Sequence, residues 1–126
     1  MSDSDAKKIL VVDDNPTDRT LIISLLERAG HMVVSADQAP DGVDMALNQA
    51  PDLIILDVMM PIINGFNICR LIKSHTEQGH IPIVLVTSRA EEEDRHIGEE
   101  VGADGYITKP FDPEILLETV SGLLSQ

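Results

Sequence analysis

Short runs of consecutive apolar residues recur along the chain and predict five β-strands. The pattern is clearest from residue 52 to residue 57, where four large aliphatic residues follow one another before the run closes on Asp57. A run that does not alternate with polar residues is typical of a strand buried on both faces, as in a parallel sheet flanked by helices. The predicted strands cover residues 8–13, 32–36, 52–57, 81–87 and 104–109, and we expect the third to be central.

Segments with apolar residues at helical spacing separate and follow the predicted strands. The predicted helices begin near residues 16, 40, 64, 88 and 112. Strands and helices therefore alternate five times with short connections. Such alternation implies right-handed crossovers and a parallel sheet with helices on both faces, so the predicted class is α/β.

The helical patterns also predict how each helix starts and which side it buries. Asn15 is a candidate N-cap of the first helix, and Asp18 lies favourably at the positive end of that helix's dipole. The predicted inward positions of the first helix are Leu21, Ile22, Leu25, Leu26 and Ala29, and those of the third are Phe66, Ile68, Leu71 and Ile72. A capping-box sequence from Ser88 to Glu91 predicts the start of the fourth helix. We expect that helix to be weakly anchored, because only three apolar residues occur between residues 89 and 101.

Composition narrows the class of protein. The 126 residues suit one domain, with an ordered core over residues 7–125 and a flexible tail over residues 1–6. A net charge of −13 disfavours direct binding to nucleic acid or to an anionic membrane. Neither a membrane-spanning run nor a signal-peptide pattern is visible, so the expected location is the cytoplasm. The single cysteine, Cys69, excludes an internal disulfide and a multi-cysteine metal site.

Chemically suggestive residues stand at the carboxyl ends of four predicted strands. They are Asp13, Asp14, Asp57, Thr87 and Lys109. Taken alone, Asp57 would fit a turn-capping role. In a parallel sheet, however, all five residues lie at one edge, where α/β folds bind ligands. Clustered carboxylates attract a cation, and hard oxygen ligands favour Mg²⁺ or Mn²⁺. A phosphoryl group could then be accepted by Asp57 as the nucleophile, with Thr87 and Lys109 contacting its oxygens.

These motifs agree in order and spacing with a known family. The matching residues are Asp13-Asp14, Asp57 with Met60-Pro61 and Gly65 after it, Thr87, Tyr106 and Lys109-Pro110. In these features the chain resembles the receiver domain of two-component response regulators over essentially residues 7–125. It is most similar to stand-alone receivers of the chemotaxis type, and we expect residues 1–126 to form a single receiver domain.

The resemblance implies a fold and a reaction. The fold would be flavodoxin-like, a (βα)5 doubly wound parallel sheet with strand order 2-1-3-4-5. A histidine kinase or a histidine phosphotransfer protein would phosphorylate Asp57. Mg²⁺ would be held directly by Asp14 and Asp57, by Asp13 through water, and by the backbone carbonyl of Met59. The bond before Pro110 would be cis.

The resemblance also implies a switch. Thr87 would move toward the phosphoryl group and Tyr106 would turn inward, which would remodel the face formed by the fourth helix, fifth strand and fifth helix. A downstream protein would bind that face, and a phosphorylation-dependent dimer is left open. We expect no enzymatic activity beyond self-phosphotransfer and slow autodephosphorylation. The autodephosphorylation would be slow because Met59 could hinder the attacking water and Arg89 could shield the phosphoryl group.

Three other functions would share some of these features. An aspartate-nucleophile phosphatase needs a second acid two residues after the nucleophile, where this chain has Met59. A flavin-binding module needs a loop that cradles phosphate, whereas the loop that begins at Asp13 is acidic. A receiver-like interaction module that works without phosphorylation stays an alternative. The sequence identifies neither the kinase nor the target, and it leaves open the oligomeric state and whether the chain is part of a longer regulator.

Overall fold

The computed structural model describes residues 7–126, which contain five strands and five helices in strict alternation. The strands are β1 (Lys8–Val12), β2 (Met32–Ala36), β3 (Leu53–Leu56), β4 (Ile83–Thr87) and β5 (Gly105–Thr108). The helices are α1 (Pro16–Arg28), α2 (Ala39–Asn48), α3 (Gly65–Lys73), α4 (Glu92–Glu100) and α5 (Pro113–Leu124). The predicted tail, residues 1–6, lies outside the described residues.

The sheet is wholly parallel and has the order β2-β1-β3-β4-β5, which confirms the predicted flavodoxin-like topology with β3 at the centre. The register of the strands places the candidate site residues at the carboxyl edge of the sheet. Val12 of β1 is the partner of Leu56 of β3, so the residues that follow them, Asp13 and Asp57, leave neighbouring strands side by side. Thr87 closes β4 opposite Thr108 of β5.

Two apolar cores cover the two faces of the sheet. Leu10 and Leu56 point to one face, where α2, α3 and the end of α4 supply the packing residues. Ile9 and Ile55 point to the other face, against α1 and α5. Successive strand residues therefore serve opposite cores, which explains why their sequence is continuously apolar. No helix within residues 7–126 is both long enough and apolar enough to cross a membrane.

Some helix residues that their spacing predicted to face inward are exposed. Ile22 and Leu26 of α1 are fully buried, but Leu21 is 44% exposed. In α3, Ile68 and Ile72 are buried, whereas Leu71 is 39% exposed. Ala29, the C-cap of α1, is exposed as well. The predictions that Leu21, Ala29 and Leu71 face inward were therefore wrong. These residues lie at the margin of the apolar face of their helices, beyond the part that the sheet covers, so they stay in contact with solvent.

The fourth helix begins later than predicted. Glu91 is the N-cap of α4, and its side chain makes no capping hydrogen bond. The predicted capping box at Ser88 was wrong, because the chain between β4 and α4 makes other hydrogen bonds. The Arg89 amide donates to the Thr87 hydroxyl at 3.3 Å, and the Arg89 carbonyl accepts from Tyr106. The buried residues of α4 are Asp94 and Gly98, neither of them large and apolar, which supports the expectation of weak anchorage.

Candidate functional site

Three carboxylates from two strand ends meet at the carboxyl edge of the sheet. Asp13, Asp14 and Asp57 each offer an oxygen, and these oxygens lie within 4.8 Å of one another. We call these residues the acidic cluster. Asp13 and Asp57 are buried, and Asp14 is exposed. The structure thus brings together the carboxylates that the sequence placed at this edge.

Backbone amides fix the orientation of the two buried carboxylates. Asp13 Oδ1 accepts a hydrogen bond from the Asn15 amide at 2.9 Å, and Asp57 Oδ1 accepts one from the Met59 amide at 3.2 Å. In addition, Arg19 Nη1 donates to the Asp13 carbonyl at 2.9 Å. Each carboxylate therefore holds one oxygen against the loop that follows it and turns the other, Oδ2, toward the side chain of Lys109.

Lys109 places its ammonium among the carboxylates. Its side chain is only 13% exposed, and Nζ lies 2.9 Å from Asp13 Oδ2 and 3.4 Å from Asp57 Oδ2. A third carboxylate, Asp18 Oδ2, lies 2.8 Å from the same ammonium. The peptide bond between Lys109 and Pro110 is cis.

Asp18 belongs to this site, although its sequence pattern did not predict a contact with Lys109. It was assigned only to the dipole of α1, since acids are common in the first turn of a helix. The sequence did hold a signal for this contact, because Asp18 lies in the first helical turn after the strand end that carries Asp13. Because a helix that leaves the carboxyl edge starts beside that edge, its first turn can reach the same cations as the strand-end residues.

The electrostatics of the site raise the pKa of both Asp57 and Lys109. Burial raises the pKa of Asp57, and the charge of Asp13 raises it further, while Lys109 and the Met59 amide partly offset these effects. For Lys109, burial alone would lower the pKa. Hydrogen bonds to Asp18 and Asp13, together with the charges of Asp57 and Asp13, outweigh burial, so its pKa is raised and the ammonium stays charged.

Asp57→Asn is expected to stabilise the metal-free fold at pH 7, because it removes a buried carboxylate whose charged form is disfavoured by burial and by Asp13. The folded-state pKa of Asp57 is raised above its ordinary value of 3.8. Ionisation therefore costs stability as the pH rises from 3.8 through the raised value, and the cost is complete above it. Asparagine removes that cost. The difference in stability between the variant and the wild-type protein should therefore shrink as the pH falls from 7 toward 4. Urea unfolding with a chelator present measures this, with the exposed Asp41→Asn as control, and a loss of stability in Asp57→Asn at pH 7 would contradict the prediction.

Thr87 and Tyr106 are linked through the backbone of one loop residue. The Thr87 side chain is fully buried, and its hydroxyl accepts from the Arg89 amide. The Tyr106 hydroxyl donates to the Arg89 carbonyl at 2.6 Å. Tyr106 also packs against α4 at Gly98, where an added Cβ would lie 2.9 Å from the ring. A displacement of the Thr87 hydroxyl would therefore disturb the same loop residue that holds Tyr106.

The Arg89 side chain is paired with another carboxylate, whereas the Met59 side chain lies beside Asp57. The Arg89 guanidinium pairs with the buried carboxylate of Asp94 at 2.6 Å and lies over the Phe66 ring, 5.8 Å from its centroid. This pairing with a residue of α4 compensates the positive charge that was expected to shield a phosphoryl group. Met59 leaves its side chain largely exposed beside Asp57.

The acidic cluster has the donor chemistry of a divalent-cation site. Its ligand atoms are carboxylate oxygens, which hard divalent cations prefer. The sequence's single cysteine does not compete for such an ion, because Cys69 is buried with a pKa raised by burial to about 11. The cluster therefore fits a divalent cation held by oxygen ligands.

Comparison with known proteins gives a consistent result. Residues 9–121 match the family model described as the response regulator receiver domain. Protein PilH of Pseudomonas aeruginosa is 39% identical over 118 residues, which cover 94% of this chain and 98% of PilH. Several other curated relatives are transcriptional regulators, and the chain spans only about half of their length.

Solved structures resemble the chain along nearly its whole length. The chemotaxis response regulator CheY4 of Vibrio cholerae has a TM-score of 0.87 and 32% identity, covering 94% of this chain and 98% of that chain. The receiver domain of the sensor histidine kinase PA1611 from Pseudomonas aeruginosa has a TM-score of 0.88 and 27% identity, covering 96% of this chain and 99% of that one. The PA1611 structure holds a magnesium ion coordinated in its active-site cleft.

Proposed function

Because the chain belongs to the response regulator receiver family, we propose that it accepts a phosphoryl group on Asp57 from a histidine kinase or a histidine phosphotransfer protein in the cytoplasm. The geometry of Asp57 carries the proposal. A buried carboxylate with one oxygen anchored by the Met59 amide turns its other oxygen toward an ammonium, beside two further carboxylates. A carboxylate held in this way is oriented for attack on a phosphorus atom.

The proposed reaction uses groups that the structure places at one edge. An oxygen of Asp57 forms the new bond to phosphorus, while the bond from phosphorus to the donor's imidazole nitrogen breaks and the nitrogen keeps the electron pair. Lys109 Nζ, held charged by its carboxylate partners, compensates the negative charge of the phosphoryl oxygens. Thr87 supplies a hydroxyl at the end of the neighbouring strand.

Mg²⁺ is the proposed ion. Asp14 and Asp57 would hold it directly through their carboxylates, Asp13 through water, and Met59 through its backbone carbonyl. When bound, it neutralises the acidic cluster and polarises phosphoryl oxygens. The similarity to a receiver structure with magnesium in its active-site cleft supports this choice over Mn²⁺. The carboxylate donor set of this chain independently supports a hard divalent cation at the site.

The proposed output is a change in the face formed by α4, β5 and α5, to which a downstream protein binds. The support is the chain of contacts from the Thr87 hydroxyl to the Arg89 backbone and on to Tyr106. α4 buries few apolar side chains, so a small change in its contacts can shift it. The protein would act on no separate substrate, and loss of the phosphoryl group would be slow autodephosphorylation.

Acetyl phosphate provides the direct test of phosphoryl acceptance. We expect a Mg²⁺-dependent gain of one phosphoryl group by intact mass in the wild-type protein. Asp57→Asn should show no gain, because its amide cannot serve as the nucleophile.

A failure with acetyl phosphate is followed by a test with phosphorylated histidine kinases and phosphotransfer proteins. Absence of phosphoryl transfer from both kinds of donor would contradict the proposal and favour an interaction module that works without phosphorylation. A gain that persists in Asp57→Asn would contradict the assignment of the acceptor.

A further inference from the structure

Asp18 holds the site lysine from outside the acidic cluster. Its carboxylate lies 2.8 Å from Lys109 Nζ, the shortest of the three ion-pair distances that this ammonium makes. Asp13 and Asp57 are buried cluster members, whereas Asp18 comes from the first turn of α1 and its side chain is 32% exposed. The ammonium thus bridges the buried cluster and a carboxylate at its rim.

The ammonium and a divalent cation compete for the same carboxylates. Lys109 contacts Asp13 and Asp57, two of the three residues that would hold the cation. An ammonium in that position weakens cation binding in two ways, by occupying ligand oxygens and by charge repulsion. A carboxylate outside the cluster can relieve the first effect, because it gives the ammonium a partner that the cation does not need.

The backbone of α1 keeps Asp18 in place for this task. The Asp18 amide donates to the N-cap side chain of Asn15 at 2.9 Å. The next residue, Arg19, is tied to the Asp13 carbonyl. The first turn of α1 is therefore fixed to the loop that carries the cluster. This gives the Asp18 carboxylate a defined position beside Lys109.

We propose that Asp18 is a positioning residue that retains the Lys109 ammonium at the rim of the acidic cluster when a divalent cation occupies Asp13 and Asp57. This role rests on the proposed function, because it concerns the cation and lysine of that site. Asp18 neither binds the cation nor contacts the phosphoryl group. It determines how strongly Lys109 competes with the cation, and it keeps the ammonium within reach of Asp57.

The test measures Mg²⁺ affinity from the dependence of thermal unfolding on Mg²⁺ concentration, without any phosphodonor. Asp18→Asn is expected to weaken Mg²⁺ binding by about three- to tenfold, since one charged hydrogen bond is redirected onto the cluster. Asp18→Glu keeps a carboxylate and should recover most of the affinity. Asp41→Asn removes the same charge from the first turn of α2, makes no ion pair with Lys109, and should change the affinity by less than about twofold.

A second background separates positioning from simple loss of negative charge. In Lys109→Gln the competing ammonium is gone, so adding Asp18→Asn should have no larger effect than Asp41→Asn. An equal effect of Asp18→Asn in both backgrounds, or equal effects of Asp18→Asn and Asp41→Asn in the wild type, would overturn the role of Asp18 alone. Absence of any Mg²⁺-dependent stabilisation in the wild-type protein would instead overturn the proposed cation site and this role with it.

Discussion

Gly65→Ala is expected to destabilise the fold by about 3 kcal/mol or more, a large loss for a single methyl group. Gly65 is the first residue of α3 and is buried. A Cβ at this position would collide with the Asp57 carbonyl oxygen and would lie 2.8 Å from the Val58 Cα. Both are backbone atoms, which cannot rotate away as a side chain can.

The collision would also reach the phosphoacceptor. The Gly65 amide donates to the Val58 carbonyl at 2.8 Å, so the start of α3 is fastened to the residue directly after Asp57. Relieving the clash would require moving either α3 or this backbone. We therefore expect Gly65→Ala to reduce phosphorylation of whatever fraction stays folded, in addition to lowering the free energy of unfolding.

Gly122→Ala is the matched control for this prediction. Gly122 lies inside α5 and is exposed, and an added Cβ there meets nothing within 4 Å. Alanine should stabilise that helix by about 0.5–1 kcal/mol, because glycine loses more conformational freedom when a helix forms. Urea unfolding of both variants checks the pair, and similar effects of the two substitutions would show that the close approach at Gly65 is not decisive.

Lys109→Gln is expected to slow phosphorylation by acetyl phosphate about 10- to 100-fold at saturating Mg²⁺. The transferred phosphoryl group brings negative charge into a site that already holds three carboxylates. Lys109 is the cation that the structure places against Asp13 and Asp57. Glutamine keeps much of the side-chain length and can donate a hydrogen bond, but it supplies no charge.

Two further variants test whether the effect of Lys109→Gln depends on this particular lysine and on its charge. Lys8→Gln removes the same charge from the start of β1, at the opposite edge of the sheet, and should leave the rate unchanged. Lys109→Arg keeps the charge but replaces a compact ammonium with a planar fork, so we expect an intermediate rate. Initial rates from intact mass measure all three. A wild-type rate in Lys109→Gln would remove the lysine from the proposed reaction.

The sequence by itself determined the fold and most of the site. Runs such as Leu53–Leu56 are short and apolar without alternation, a pattern typical of a strand covered on both faces. Once the strands are parallel, the residues that end them share one edge, whatever the details of packing. For this reason Asp13, Asp57 and Lys109 could be grouped before any distance was known, although they lie far apart in the chain.

Only the tertiary structure decided which partners the charged side chains choose. Lys109 pairs with Asp18 as well as with the cluster, and Arg89 turns to Asp94. Periodicity likewise placed Leu21 on the apolar face of α1, yet the sheet leaves it exposed. A local pattern shows which residues share a face or an edge. How much of that face is covered, and which carboxylate lies nearest to an ammonium, depends on how separate elements pack, and no local pattern carries that information.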